Sequence, residues 1–131
     1  MTRILIADDS LPVRCGLRTL LGLNSDWHVC GEAVDGADAV EKAHQLAPDL
    51  ILMDFSMPQM DGVQAARKIA ESGTDIPILL FALNLSPQIM ELARDAGLRG
   101  AISKAEISKL PYAIKAIQRG ETFFLCELNS G

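Results

Sequence analysis

The sequence predicts a three-layer α/β domain built on a five-stranded parallel sheet. Two observations carry that prediction. Five short apolar runs, Ile4–Ala7, Trp27–Ala33, Leu50–Met53, Ile76–Leu83 and Gly100–Ser103, alternate with five stretches of helical periodicity. Strict alternation of this kind belongs to parallel strands joined by crossover helices. The first and third runs also stop at carboxylates, Asp8-Asp9 and Asp54, and open α/β sheets hold their chemistry at the carboxyl ends of strands.

Each element has its own signals. Ile4–Ala7 reads as a buried strand. Ser10 can cap the helix that follows, with Pro12 in its first turn. Val13, Leu17, Leu20 and Leu21 form one helical stripe, closed by Gly22 and Asn24. Trp27–Ala33 is more polar and suits a sheet edge, and Asp35-Gly36 marks a turn. Ala37–Ala47 carries Val40, Ala43 and Ala47 on one face and stops at Pro48. Leu50–Met53 is too short for a helix and reads as a strand buried on both faces, with Met57-Pro58 and Gly62 marking the loop behind Asp54. Asp61 caps a third helix with Val63, Ala66 and Ala70 on one face, ending at Gly73. Ser86-Pro87 opens a fourth, with Ile89, Ala93 and Ala96 aligned and Gly97 as its stop. Ser108 opens the last, with Leu110, Ile114 and Ile117 on one side, ending at Gly120. These assignments give one domain over residues 1–120 and a tail or linker over 121–131.

Composition excludes several classes. The chain has 131 residues, enough for a single domain with a full core. Its net charge of -5, from 17 acidic and 12 basic residues, argues against nonspecific nucleic-acid binding and against attraction to an anionic membrane. Cys15, Cys30 and Cys126 form no CxxC pair, which points to a reducing, cytoplasmic setting rather than a disulfide or zinc framework. Neither a signal-peptide core nor an apolar run of the ~18 residues a membrane span needs is present. Cys15 is expected to pack in the middle of its helix, His28 and His44 to lie at the surface, and Met53, Met57, Met60 and Met90 to fill core and loop. The GxxxxGK[ST], GxGxxG and GxSxG motifs of nucleotide-binding and hydrolase folds are missing.

Five such strands favour the flavodoxin-like order 2-1-3-4-5, which makes strands 1 and 3 neighbours. Asp8, Asp9 and Asp54 then share one cleft. Three carboxylates so placed repel, and at least one pKa rises unless a cation intervenes. Magnesium suits the donors, because it takes oxygen ligands and pairs one or two carboxylates with a phosphate. Lys104, after strand 5, lies on the same rim and can offer a point charge to a phosphoryl oxygen. Each residue alone has a plainer role: Asp9 or Ser10 as a helix cap, Asp54 as a turn residue, Lys104 as a surface lysine. Their convergence on one edge is what indicates a site.

The set Asp8-Asp9, Asp54 with Met57-Pro58 and Gly62 behind it, and Lys104 resembles the receiver domain of two-component response regulators over residues 3–120. The resemblance implies that Asp54 accepts a phosphoryl group from the phosphohistidine of a sensor histidine kinase. It implies Mg2+ held by Asp8, Asp9, Asp54 and the backbone carbonyl of Ser56, with Lys104 on the phosphoryl group. It further implies that the side chains at Ser56 and Asn84 tune the phosphoryl lifetime, and it allows a homodimer through the face of helix 4, strand 5 and helix 5. A receiver is a phosphoacceptor rather than a turnover enzyme.

Two positions depart from the family pattern. Ala82 stands where the family carries Thr or Ser, and Ala101 where it carries Tyr or Phe, so the usual switch pair is absent. Those alanines keep open an alternative, a phosphorylation-independent pseudo-receiver acting as a protein-interaction module. Gly120-Glu121-Thr122-Phe123-Phe124 resembles the junction after receivers of the NarL/LuxR type, where a helix-turn-helix domain follows. Only seven residues remain after it, so DNA contact would need a domain outside this chain. Phe123, Phe124 and Leu125 are expected either to pack on the last helix or to form a dimer contact.

Overall fold

The computed structural model describes residues 1–124. Its elements run β1 (Thr2–Ala7), α1 (Leu11–Leu21), β2 (Trp27–Ala33), α2 (Gly36–Leu46), β3 (Leu50–Asp54), α3 (Gly62–Glu71), β4 (Ile78–Ala82), α4 (Pro87–Asp95), β5 (Gly100–Ser103), a 3-10 segment (Lys104–Lys109), α5 (Leu110–Gln118) and β6 (Phe123–Phe124). All strand pairs are parallel, in the order β2-β1-β3-β4-β5-β6. The expected 2-1-3-4-5 order is present, with a sixth short strand added at the β5 edge.

Alternation along the strands divides the core into two layers. Ile4, Ile6, Leu50, Leu52, Leu79, Phe81 and Ile102 face α1 and α5, where Leu17, Leu21, Leu110, Ala113, Ile114 and Ile117 meet them. Leu5, Ala7, Ile51, Met53, Leu80 and Ala101 face α2, α3 and α4. Every residue of β3 is buried, as expected for the central strand of a sheet covered on both faces. β2 lies at the edge.

Helix ends follow local chemistry. Ser10, Asp35, Asp61 and Ser86 each accept the N–H of the residue three positions on, the N-cap bond that satisfies an otherwise unpaired donor. Asp61 and Gln64 complete a reciprocal capping box. Several expectations need correction. α5 begins at Leu110, not Ser108, because Pro111 takes the first turn, where its missing N–H leaves nothing unpaired. The residues before α5 form the 3-10 segment, entered through Ser103, whose hydroxyl accepts the Ala105 N–H. Ala70 is exposed, and Val63, Ala66 and Ile69 make the inward face of α3. Cys15 is exposed rather than packed, since it lies across the helix from Leu17. His28 and His44 are exposed as expected.

Phe123 and Phe124 extend the sheet. Phe123 N–H donates to the Arg99 carbonyl at 2.9 Å, and the register pairs Gly100 with Phe123 and Ala101 with Phe124. Phe123 packs on the α1/α5 layer and Phe124 on the other. Gly100 is required here, because a Cβ on it would sit 2.5 Å from the Phe123 carbonyl oxygen. Phe123 and Phe124 thus pack on this chain's own sheet; Leu125 and Cys126 lie outside the described residues.

Candidate functional site

The site forms where β1 and β3 end side by side. Ala7 is paired with Met53, so the residues just beyond, Asp8 and Asp54, emerge at the same rim. One carboxylate oxygen from each of Asp8, Asp9 and Asp54 lies within 4.8 Å of the others. Asp8 is fully buried, Asp54 is 2% exposed, and Asp9 is open to solvent. Lys104, just past β5, reaches across: its Nζ is 3.3 Å from Asp54 Oδ1 and 3.4 Å from Asp8 Oδ2. The same ammonium lies 5.3 Å from the centroid of the Phe81 ring.

Electrostatics follow from that crowding. Burial pushes the Asp54 carboxyl up to about 6, and the neighbouring Asp8 charge adds to the effect. Lys104 and the Ser56 N–H pull the other way without cancelling it. The sequence-level expectation that one pKa rises is met at Asp54. A single ammonium against three carboxylates leaves a net negative, all-oxygen pocket. Its donor set fits a hard divalent cation such as Mg2+.

The loop behind Asp54 holds it in place. Phe55 N–H donates to the Phe81 carbonyl at 2.9 Å, and Gly62 N–H to the Phe55 carbonyl at 2.8 Å. Gly62 admits no side chain: a Cβ there would collide with the backbone oxygen of Asp54. The N-terminus of α3 can therefore close directly on the residue at the end of β3. Ser56 and Asn84 are exposed on the wall of the same cleft, with Ala82 and Ile89 on the β4–α4 side.

Ala82 ends β4, buried, with Ser103 as its register partner. No hydroxyl is carried at that strand end, and the Ser103 hydroxyl is engaged with the Ala105 N–H. Ala101 is buried in β5, and Phe124 stands beside it in register. The Phe124 ring packs under Arg94 of α4, 4.6 Å from guanidinium carbon to centroid.

Sequence reasoning missed one group at this rim. Arg14 of α1 donates from Nε to Glu32 Oε1 at 2.8 Å and from Nη1 to the Asp8 carbonyl at 2.7 Å. Arg18 also pairs with Glu32. The two cations, Arg18 first, hold the Glu32 carboxyl below its usual range against the effect of burial. The available signal was a lone acid near the carboxyl end of an edge strand, with arginines one turn apart on the helix before it.

An acidic triad and a lysine at the rim of a parallel sheet flanked by five helices define a signalling receiver, and the comparisons agree. The chain belongs to the response regulator receiver domain family, whose model matches residues 4–118. It is similar to the response regulator protein VraR of Staphylococcus aureus, with 37% identity over 123 residues, covering 93% of this chain and 59% of VraR. The chain thus spans well under two thirds of the length of that curated relative. Among solved structures it resembles a LuxR-family two-component response regulator from Aurantimonas sp. SI85-9A1 (TM-score 0.90, 30% identity, 94% of this chain and 89% of that one). It also resembles the isolated receiver domain of RcsB from Salmonella enterica serovar Typhimurium, solved with phosphomimetic beryllofluoride (TM-score 0.87, 26% identity, 95% and 93%). Its relatives put it with receivers of the NarL/LuxR type.

Proposed function

We propose that Asp54 accepts a phosphoryl group from a sensor histidine kinase, and that the chain is the input half of a two-component transcription regulator whose DNA-binding domain lies outside this sequence. The observation that carries the proposal is the meeting of Asp8, Asp9 and Asp54 within 4.8 Å, with Lys104 3.3 Å from Asp54.

Asp8, Asp9, Asp54 and the Ser56 carbonyl are the groups that would hold Mg2+, which when bound neutralises charge on the transferring phosphoryl oxygens. An Asp54 carboxylate oxygen attacks phosphorus, and the P–N bond to the donor imidazole breaks. The bonding pair stays on the imidazole nitrogen, which is then protonated by solvent. The transition state is loose and spreads charge over its equatorial oxygens, so positioning and cations supply most of the acceleration. Lys104 contributes a charge already aimed at Asp54. Ser56 and Asn84 stand where side chains can admit or hinder the water that hydrolyses the acyl phosphate.

Cytoplasmic location is supported by Cys15 and Cys30, which form no disulfide among the described residues. No helix among the described residues is long and apolar enough to cross a membrane. Homodimerisation would use the face of α4, β5 and α5. β6 borders that face, so such a contact would include Phe123 and Phe124.

Treatment with acetyl phosphate and Mg2+, read on a phosphate-affinity gel, tests the proposal. The wild-type chain should shift and Asp54→Asn should not; a shift that persists in the variant removes Asp54 as acceptor. Ala82 and Ala101 favour the second reading, a receiver that signals without phosphate. Mg2+ binding with no labelling by acetyl phosphate would select it.

A further inference from the structure

Among the described residues Arg14 makes no hydrogen bond or ion pair to a carboxylate of the acidic site, yet it is tied to the site's backbone. Its side chain is only 11% exposed. Its guanidinium bridges two fixed points: Glu32 on β2 at 2.8 Å and the carbonyl of Asp8 at 2.7 Å. Glu32 is itself anchored, since its own backbone carbonyl accepts Lys42 Nζ at 2.5 Å, and Lys42 also pairs with Asp38. Besides the Lys104 contact to its Oδ2, Asp8 is held at three points. Its N–H donates to the Ala33 carbonyl at 3.0 Å, its Oδ1 accepts the Ser10 N–H at 2.7 Å, and its carbonyl accepts Arg14.

The third bond has a specific consequence. The Asp8 carbonyl belongs to the peptide plane that joins Asp8 to Asp9. Asp9 is the exposed member of the triad, so its carboxylate takes its direction from that plane. We propose that Arg14 is a positioning residue for the metal site: by fixing the Asp8–Asp9 peptide against Glu32, it aims the Asp9 carboxylate toward Asp54. This rests on the Mg2+ site of the proposed function and deepens it. Arg18 provides an internal control, because its guanidinium pairs with the same Glu32 and, among the described residues, bonds only that residue, not the Asp8 carbonyl.

Calorimetric titration of the full chain with Mg2+ tests the inference on wild type, Arg14→Met and Arg18→Met, with thermal melts in EDTA alongside. Outer-shell partners of metal ligands are typically worth 10-fold or more in affinity. Arg14→Met should therefore bind Mg2+ about 10-fold more weakly, while Arg18→Met stays within about twofold of wild type even though it loses an ion pair. Arg14→Lys, which can still donate to the Asp8 carbonyl, should recover part of the loss. Should Arg14→Met fail to fold, Glu32→Gln replaces it, weakening the anchor while leaving an acceptor for Nε, and a severalfold loss of Mg2+ affinity is expected. Equal affinity in Arg14→Met and wild type, or equal losses in Arg14→Met and Arg18→Met, overturns the inference and leaves the metal site standing. Absence of Mg2+ binding by the wild type overturns both.

Discussion

Replacing Asp54 with Asn should stabilise the metal-free protein, and the effect should depend on pH in a defined window. Asp54 is buried beside Asp8, and its carboxyl is raised from 3.8 to about 6 in the folded chain. Below 3.8 both folded and unfolded states carry the proton, and the group is neutral to stability. Between these values the folded state binds more protons than the unfolded one, so stability falls as pH rises, and the full penalty is present above about 6. Its size is about 3 kcal/mol. Asn keeps the shape and an oxygen for Lys104 but carries no charge. In EDTA at pH 7.5, Asp54→Asn should therefore raise stability by about 3 kcal/mol, or about 10 °C in Tm. At pH 4.5 the advantage should shrink to about 1 kcal/mol. Saturating Mg2+ should close the gap at neutral pH by stabilising the wild type preferentially. Urea melts across pH 4.5–8 with and without Mg2+ measure all three effects. An Asp54→Asn protein no more stable than wild type at pH 7.5, or an advantage that does not change with pH, would refute the electrostatic account of the site.

Two further outcomes follow from the same geometry. Gly62→Ala should destabilise the chain by about 1–3 kcal/mol, because the new Cβ meets the Asp54 carbonyl and lies 2.9 Å from Leu80 and Met53; a urea melt within about 0.5 kcal/mol of wild type would contradict this. Ala82→Thr should restore a hydroxyl to the cleft and, with Mg2+ and beryllofluoride, enlarge the amide shifts over residues 84–104 relative to wild type. The missing charge-assisted hydrogen bond is worth about 1.5–3 kcal/mol, and shifts of equal size in the two proteins would mean that Ala82 does not limit the response.

What the sequence made legible was whatever repeats or alternates. The five strands, their order and the convergence of Asp8, Asp9, Asp54 and Lys104 follow from apolar runs that end in charge and from crossover topology. The helix caps at Ser10, Asp61 and Ser86 were equally readable, since each is local chemistry. Contacts set by three dimensions were not. Arg14 and Glu32 meet across 18 residues, and neither breaks a pattern that would mark it. The start of α5 was misplaced because Ser108 is a good cap residue in isolation, whereas Pro111 decides the first turn. Ala70 sits one residue off the buried face because a short amphipathic helix admits two apolar stripes about one residue apart, and only the sheet it packs on selects between them, whereas Cys15 lies off the Leu17 stripe altogether.

β6 was invisible for a related reason. Two phenylalanines after a glycine do not announce a strand, and only the bare edge of β5 makes them one. That pairing bears on the unusual alanine at position 101. Ala101 and Phe124 are register partners on the same face, both packed in the layer under α4. Aromatic bulk at this place comes from the neighbouring strand rather than from β5 itself. Ala101→Phe should then overfill the layer and cost about 1–3 kcal/mol. Phe124→Ala alone should also destabilise, through lost burial and the lost stacking with Arg94. The double variant should be more stable than the sum of the two losses predicts, because each substitution makes room for the other. Urea melts of the four proteins give the coupling directly. Strict additivity would mean that Phe124 does not occupy the space Ala101 leaves, and the alanine at position 101 would then have to be explained without the C-terminal strand.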